Sequence, residues 1–142
     1  MTRAQLITAL YRLAGEEPVE GESVFEDVAP DAYYAKAVIW GTREGIVSGV
    51  TETRFDPNAP VTRAQAAAFL YRMSGEKVEE DHLADFADAQ QIPAYAVEAM
   101  NWAAARGILN GAGEDGSLIL AAHRNVRRAE AAAMIMRFDL TA

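Results

Sequence analysis

Apolar residues recur with helical spacing in three segments of the chain that match one another. The segments are "MTRAQLITALYRLAG" (Met1–Gly15), "VTRAQAAAFLYRMSG" (Val61–Gly75) and "VRRAEAAAMIMRF" (Val126–Phe138). Their apolar stripes are Leu6, Ala9, Leu10 and Leu13; Ala66, Phe69, Leu70 and Met73; and Ala131, Met134, Ile135 and Phe138. The pattern predicts three equivalent helices with small, apolar faces, packed as a central bundle with approximate threefold symmetry.

A second helical pattern precedes the later two segments. In its first copy it spans about Ala32–Glu44, and Gly45 is expected to end it because glycine accepts the left-handed cap. Its apolar stripe is Ala35, Val38, Ile39 and Thr42. The connecting loop, "VTETRFDPNAP", is rich in turn formers, and it allows short strand-like pairing near Ile46–Val47 or Arg54–Phe55 as a minor feature. We therefore predict an all-α fold in which short strands are minor elements.

Both helical patterns belong to an internal repeat. The segment Phe25–Gly49 matches Phe86–Gly111, with one residue added before Tyr95. Equivalent pairs include Phe25 and Phe86, Asp27 and Asp88, Trp40 and Trp102, Gly45 and Gly107, and Gly49 and Gly111. We predict full repeats over residues 25–75 and 86–138, preceded at residues 1–15 by the back half of another repeat.

Capping boxes begin two of the three matching helices. The Thr2 hydroxyl accepts from the Gln5 amide while Gln5 reaches back, and Thr62 with Gln65 forms the same pair. The third copy has Arg127 at the capping position and is expected to lose the cap.

An arginine follows the capping position in all three copies, at Arg3, Arg63 and Arg128. The positive end of a helix dipole disfavours a cation there by about 0.3–1 kcal/mol. One interpretation is that each arginine pairs with a carboxylate such as Asp27 or Asp88 and joins the repeats. The other is that the guanidinium and free helix amides together bind a carboxylate or phosphate.

Tryptophan and glycine recur beside the first helix of each repeat. Trp40 and Trp102 either fill gaps between repeats or offer an apolar plate to a sugar ring. Gly49 and Gly111 either permit tight turns or let a ligand approach the backbone.

Composition narrows the classes of partner. The 142 residues carry 13 basic and 21 acidic side chains, a net charge of −8, which opposes nonspecific binding to nucleic acid or anionic membranes. Cysteine is absent, so thiolate metal sites and cysteine nucleophiles are excluded. His82 and His123 are unrelated by the repeat, and no catalytic set recurs. We predict no enzymatic activity, no cofactor, no metal and no membrane insertion.

The ensemble F-x-D-V, Y-A-x-A-V, W, G-I-V-x-G, F-x-P and T-R-A-Q resembles the S-layer homology repeat over nearly the whole chain. The resemblance implies one domain over residues 1–142, in a bacterial surface or cell-wall protein of larger size. Such domains hold three repeats in a three-pronged arrangement and tether surface proteins to cell-wall polysaccharide, which often bears pyruvylated sugars. The implied ligand-binding candidates are Arg3, Arg63, Arg128, Trp40, Trp102, Gly49, Gly111, Asp27 and Asp88.

The chain departs from the family pattern in two places. The third repeat reads "LAAHRNV" (Leu120–Val126) in place of "FDPNAPV" and gains residues around 112–117, so its groove is either degenerate or made more basic by Arg124, Arg127 and Arg128. The first repeat lacks its front half, so its groove is incomplete or completed by another copy of the chain. Arg63 marks the best intact site. The alternative function is a structural or oligomerisation module whose arginines serve only as struts between repeats.

Overall fold

The computed structural model describes residues 1–111 and 118–141, and within them the chain forms five α-helices. They are α1 (Arg3–Leu13), α2 (Ala35–Arg43), α3 (Arg63–Ser74), α4 (Val97–Ala105) and α5 (Arg128–Thr141). Two 3-10 turns, Ala89–Gln91 and Ala94–Ala96, precede α4. The predicted all-α class is confirmed, while the expected insertion around residues 112–117 lies outside the described residues. No described helix has the length and hydrophobicity needed to cross a membrane.

Strand pairing is reduced to two isolated bridges, Thr2 with Pro60 and Thr62 with Asn125. Among the described residues no pairing forms at Ile46–Val47 or at Arg54–Phe55, where the Phe55 amide donates to Asp27 and the Phe55 carbonyl accepts from Arg3. The backbone groups of Phe55 that strand pairing would have used are thus bonded to side chains.

The chain divides into two compact units, Met1–Val61 and Thr62–Ala142. The first contains α1 and α2, and the second contains α3, α4 and α5. The first unit therefore joins the back half of one predicted repeat to the front half of the next, and the second unit joins the back half of a repeat to the whole of the last one. The repeat boundaries and the threefold arrangement of α1, α3 and α5 stay predictions.

In the first unit α1 packs against α2 at close range. A Cβ atom on Gly41 would lie 2.8 Å from the Ile7 Cδ1 atom, so glycine permits this approach. The Tyr11 and Trp40 rings lie 5.4 Å apart, and the fully buried Phe55 ring lies 5.6 Å from Phe25. The core thus joins both helices to the loop that follows α2.

In the second unit α3 packs against α4, and the alanines at positions 66–68 are all buried, as their small size predicts for close helix packing. The fully buried Trp102 ring lies 5.6 Å from Tyr71 and 6.0 Å from Phe138, which links α4 to α3 and α5.

The predicted apolar stripes are confirmed at their centres and fail at their edges. Leu6, Leu10 and Met134 are buried, whereas Leu13 is exposed at the end of α1. Thr42 is exposed as well, because α2 buries the face that carries Trp40.

Candidate functional site

Capping boxes begin α1 and α3, as the sequence predicts. The Gln5 amide donates to the Thr2 hydroxyl at 3.1 Å, and the Gln5 side chain accepts from the Thr2 amide at 2.9 Å. Thr62 and Gln65 repeat both bonds with the same lengths. At the start of α5 the Glu130 carboxylate accepts from the Arg127 amide at 3.3 Å, so half of the box survives without a threonine.

Loop carbonyls occupy the next helix amides. The Arg3 amide donates to the Ala59 carbonyl and the Ala4 amide to the Pro57 carbonyl, at 2.9 and 3.0 Å. The amides of Arg63 and Ala64 bond in the same way, at the same lengths, to the carbonyls of Arg124 and Ala122. The expectation that free amides take part in an anion site is therefore wrong for α1 and α3, because the loop before the next helix fills them.

The Arg3 side chain holds the same loop in the first unit. Its Nε donates to the Phe55 carbonyl at 2.9 Å and its Nη2 to the Ser48 carbonyl at 3.0 Å. The guanidinium lies 4.6 Å from the Phe55 ring centroid, and the residue is 5% exposed. Arg3 thus binds two backbone carbonyls of the loop that follows α2.

Asp27 holds the opposite side of that loop. Its two carboxylate oxygens accept from the amides of Phe55 and Asp56, each at 2.8 Å. Asp56 has a φ of 61°, a left-handed conformation that costs energy outside glycine and persists where surrounding contacts enforce it. We call this set, Arg3 and Asp27 around Phe55, the loop clamp of the first unit.

The second unit contains the equivalent loop clamp, formed by Arg63 and Asp88 around Leu120. Asp88 accepts from the amides of Leu120 and Ala121 at 2.7 and 2.8 Å, and Ala121 has a φ of 50°. The Arg63 Nε donates to the Leu120 carbonyl at 2.8 Å, and its Nη2 donates to the Asn110 carbonyl at 3.4 Å. The clamp therefore survives although the sequence of this loop departs from the repeat pattern.

The clamp in the first unit makes stability sensitive to acid. Burial, the largest single influence, raises the pKa of Asp27, but the Phe55 and Asp56 amides together with Arg54 outweigh it, so the pKa lies below its usual value. A carboxyl with a lowered folded-state pKa stabilises the fold above its unfolded pKa, and that contribution is lost as the pH falls through the folded value.

We expect Asp27→Asn to lower the free energy of unfolding at neutral pH by about 1 kcal/mol. Below about pH 4 the variant should lose less stability than the unsubstituted chain, because it has no carboxylate to protonate at this position. The measurement is the thermal midpoint at about pH 7, 5 and 3. Asp31→Asn, at an exposed position, is the matched control. If both variants show the same pH profile, Asp27 is not the responsible group.

A groove of about 460 Å³ lies beside the clamp of the second unit. One wall carries Glu130, Ala133, Met134 and Arg137 of α5, and the other is the segment 108–111 after α4. Arg63 and Arg124 also line it. The lining thus combines three arginines and one glutamate with apolar residues.

Glu130 joins two of these arginines. Its Oε2 accepts from Arg63 Nη1 at 2.6 Å and also from Arg124 Nη2. Burial, the largest influence, raises the pKa of Glu130, but the Arg127 amide, Arg124 and Arg63 outweigh it, so the pKa is lowered. Glu130 is therefore a carboxylate at neutral pH and neutralises part of the positive charge in the groove.

The other predicted site residues lie in different settings. Trp40 and Trp102 are buried against aromatic neighbours, which favours the gap-filling interpretation over a sugar plate. Gly49 lies in the loop after α2, where carbonyl oxygens approach too closely for a Cβ atom, whereas Gly111 is exposed and lines the groove. Arg128 is exposed at the start of α5. Within residues 1–111 and 118–141 no group of three His, Asp or Glu side chains is placed to hold a metal ion.

Sequence reasoning missed Glu130, Asn110 and Arg137 as groove residues. A signal for Glu130 was present, since "RAE" replaces the "RAQ" of the two earlier copies. Arg137 lies seven residues after Glu130 and therefore on the same helix face. The sequence does not show that this face of α5 lies opposite the segment 108–111.

Fold and site together define a tandem helical repeat module in which an arginine at the start of one helix holds the loop of the following repeat. The S-layer homology domain profile matches residues 24–67 and 85–132. The chain belongs to the S-layer homology domain family.

Two relatives are surface proteins of bacteria. The chain is 31% identical over 140 residues to the "Surface-layer 125 kDa protein" of Lysinibacillus sphaericus, covering 96% of this chain and 12% of that protein. It is 34% identical over 82 residues to a "Cell surface protein" of Thermoanaerobacter kivui, covering 54% of this chain and 11% of that protein. The chain thus spans about a tenth of the length of these relatives.

A solved structure has the same fold. An undecaheme cytochrome from the S-layer of Carboxydothermus ferrireducens matches with a TM-score of 0.51 at 20% identity, over 93% of this chain and 20% of that one. Domains of this family generally anchor surface-layer proteins to the cell wall, bind wall polysaccharide and are structural rather than enzymatic. The predicted cell-surface or cell-wall location is confirmed.

Proposed function

We propose that this chain is a noncatalytic anchoring module that binds an anionic secondary cell-wall polysaccharide through the groove of its second unit. The observation that carries the proposal is the charge of that groove. Three arginines and one glutamate line it, in a protein whose net charge is −8. A local excess of cations in this groove attracts an acidic polymer there, although the protein as a whole is acidic.

The groove chemistry fits a sugar that carries a carboxylate. Ala129 and Ala133, which are not buried, supply apolar surface for a sugar face, and the guanidinium groups supply paired donors for a carboxylate or phosphate. A pyruvyl ketal is such a group, because it adds one carboxylate to an otherwise neutral sugar. The names of the relatives, a surface-layer protein and a cell surface protein, agree with an anchoring role.

The test is sedimentation of the protein with purified cell walls of Lysinibacillus sphaericus. We expect it to sediment with intact walls and to stay in solution with walls stripped of secondary polysaccharide by hydrofluoric acid. Binding should weaken as salt rises, since partly exposed charges are screened. Equal sedimentation with stripped walls would refute the polysaccharide as ligand.

A second candidate function is a structural module in which the motif arginines are struts between repeats. The burial and contacts of Arg3 and Arg63 support this role for these two residues, because they are 5% and 4% exposed and donate to loop carbonyls. A purely structural or oligomerisation module would fail to bind walls and would self-associate in analytical ultracentrifugation. A wall-binding monomer would exclude it.

A further inference from the structure

The groove of the second unit extends along one stripe of α5. Glu130, Ala133, Met134 and Arg137 follow the i, i+3, i+4, i+7 pattern that places side chains on one helix face. With a rise of 1.5 Å per residue, the stripe is about 10 Å long. Glu130 marks one end, with Arg63 and Arg124 beside it, and Arg137 marks the other.

Arg63 has little capacity left for a ligand. Its Nε, Nη1 and Nη2 atoms donate to the Leu120 carbonyl, to Glu130 and to the Asn110 carbonyl. Only 5% of its side chain is exposed. These contacts make Arg63 a structural strut that holds Leu120, Asn110 and Glu130 together at the groove.

Arg124 is more available. Its side chain is 38% exposed, and its Nη2 donates to the Glu130 oxygen that also accepts from Arg63. Its Nε is buried, and within the described part of the chain it has no hydrogen-bond partner. A buried N–H group without a partner is unfavourable, and an anion in the groove relieves that cost if the side chain turns toward it.

Arg137 provides a second cation two helical turns away. Its Nη1 donates to the Ile108 carbonyl at 3.2 Å, and the residue is half-buried on the groove wall. Glu130 offsets one of the three arginine charges, which leaves two in excess along the stripe. The excess is therefore carried by side chains other than the strut.

We propose that Arg124 and Arg137, rather than the repeated Arg63, contact the anionic groups of the ligand in this groove. The ligand class is a sugar polymer that bears carboxylate or phosphate groups. This inference rests on the proposed anchoring function and names the side chains that carry it. Glu130 positions Arg124 in the absence of ligand, and the ligand's anion takes over part of that interaction.

The internal repeat supplies a native substitute for Arg124. Ala59 holds the equivalent position in the preceding loop, and its carbonyl accepts from the Arg3 amide as the Arg124 carbonyl accepts from the Arg63 amide. The fold therefore uses the backbone at this position and does not need the arginine side chain. Arg124→Ala should leave the loop clamp intact.

The experiment measures binding of three variants to purified Lysinibacillus sphaericus walls. We expect Arg124→Ala and Arg137→Ala each to weaken binding about tenfold or more, the effect of losing a charge-assisted hydrogen bond. Arg12→Ala is the matched control, since this side chain is 70% exposed, carries the same charge and lies in the first unit, outside the groove lining. Its binding should change less than about twofold.

The outcomes separate the two proposals. If the unsubstituted chain fails to bind walls, the anchoring function is wrong. If it binds and all three variants bind equally well, anchoring stands and the assignment of Arg124 and Arg137 is overturned. Unchanged circular dichroism and thermal midpoints confirm that the comparison concerns binding and not folding.

Soluble competitors identify the anion. A pyruvyl-ketal hexoside and a hexose phosphate are each added to the wall-binding assay, with the unmodified hexose as control. Displacement by the ketal alone indicates a carboxylate ligand, and displacement by the phosphate alone indicates a phosphate ligand. Displacement by neither, or equally by the unmodified hexose, would contradict an anion subsite.

Discussion

Arg63→Ala is expected to lower the free energy of unfolding by about 3–5 kcal/mol, the larger of the effects predicted for this chain. The substitution removes two charge-assisted hydrogen bonds, to the carbonyls of Leu120 and Asn110, and one ion pair with Glu130. The carbonyls lose a buried donor, and Glu130 keeps Arg124 as its partner. The loop clamp of the second unit therefore opens.

Urea unfolding followed by far-ultraviolet circular dichroism measures this loss. Arg128→Ala is the matched control, because Arg128 occupies the same motif position and is exposed, and it should change stability by less than about 0.5 kcal/mol. Hydrogen exchange locates the effect: protection should fall at the Leu120 and Ala121 amides, which bond to Asp88. Equal destabilisation by both substitutions would show that burial of Arg63 is not the cause.

Gly49→Ala is expected to destabilise the first unit by about 3 kcal/mol, at the upper end of overpacking effects. A Cβ atom at this position would lie 2.6 Å from the Arg54 carbonyl oxygen and would also overlap the Thr51 carbonyl oxygen and the Phe25 ring. Backbone oxygens cannot move aside as flexible side chains do. The loop segment around Gly49, which lies against Phe25 and the Arg54 carbonyl, must therefore shift.

The neighbouring Ser48→Ala is the control for this substitution. Ser48 is exposed, and its carbonyl, which accepts from Arg3, is retained in alanine, so its effect should stay within about 0.5 kcal/mol. Thermal unfolding of both variants makes the comparison, with hydrogen exchange at the Phe55 and Asp56 amides as a local readout. A Gly49→Ala protein as stable as Ser48→Ala would mean that the turn relaxes without cost.

Local signals in the sequence sufficed for the helices and their ends. Thr2 with Gln5 and Thr62 with Gln65 cap the helices as predicted, and Gly45 adopts the left-handed conformation with a φ of 72°. These features depend on residues within one turn of each other. Local chemistry therefore decides them in any fold that contains the segment.

Long-range contacts limited the prediction of the site. Two hydrogen-bond partners of Arg3 lie 45 and 52 residues away, and they are carbonyl groups that every residue type possesses. No side-chain pattern reports which carbonyl a guanidinium will meet. The same limit applies to the helix amides, whose occupants are loop carbonyls distant in sequence.

The groove was only partly foreseeable. Arg124 was a candidate because the third loop is unusually basic, but Glu130 and Arg137 join it only through the packing of α5 against the segment after α4. The role of Trp40 and Trp102 could not be predicted from the sequence either. Their recurrence is compatible with either role, and burial alone favours one.

The half-repeat offset between sequence repeats and compact units has a consequence for how such a chain is shortened or lengthened. A truncation after Gly75, at the end of a sequence repeat, would keep α3 and discard the carbonyls of Ala122 and Arg124 that its first amides bind. A truncation after Val61 keeps α1 with its loop. Gene duplication in steps from one capping threonine to the next, Thr2 to Thr62, would each time add a helix together with the loop whose carbonyls bind its first amides.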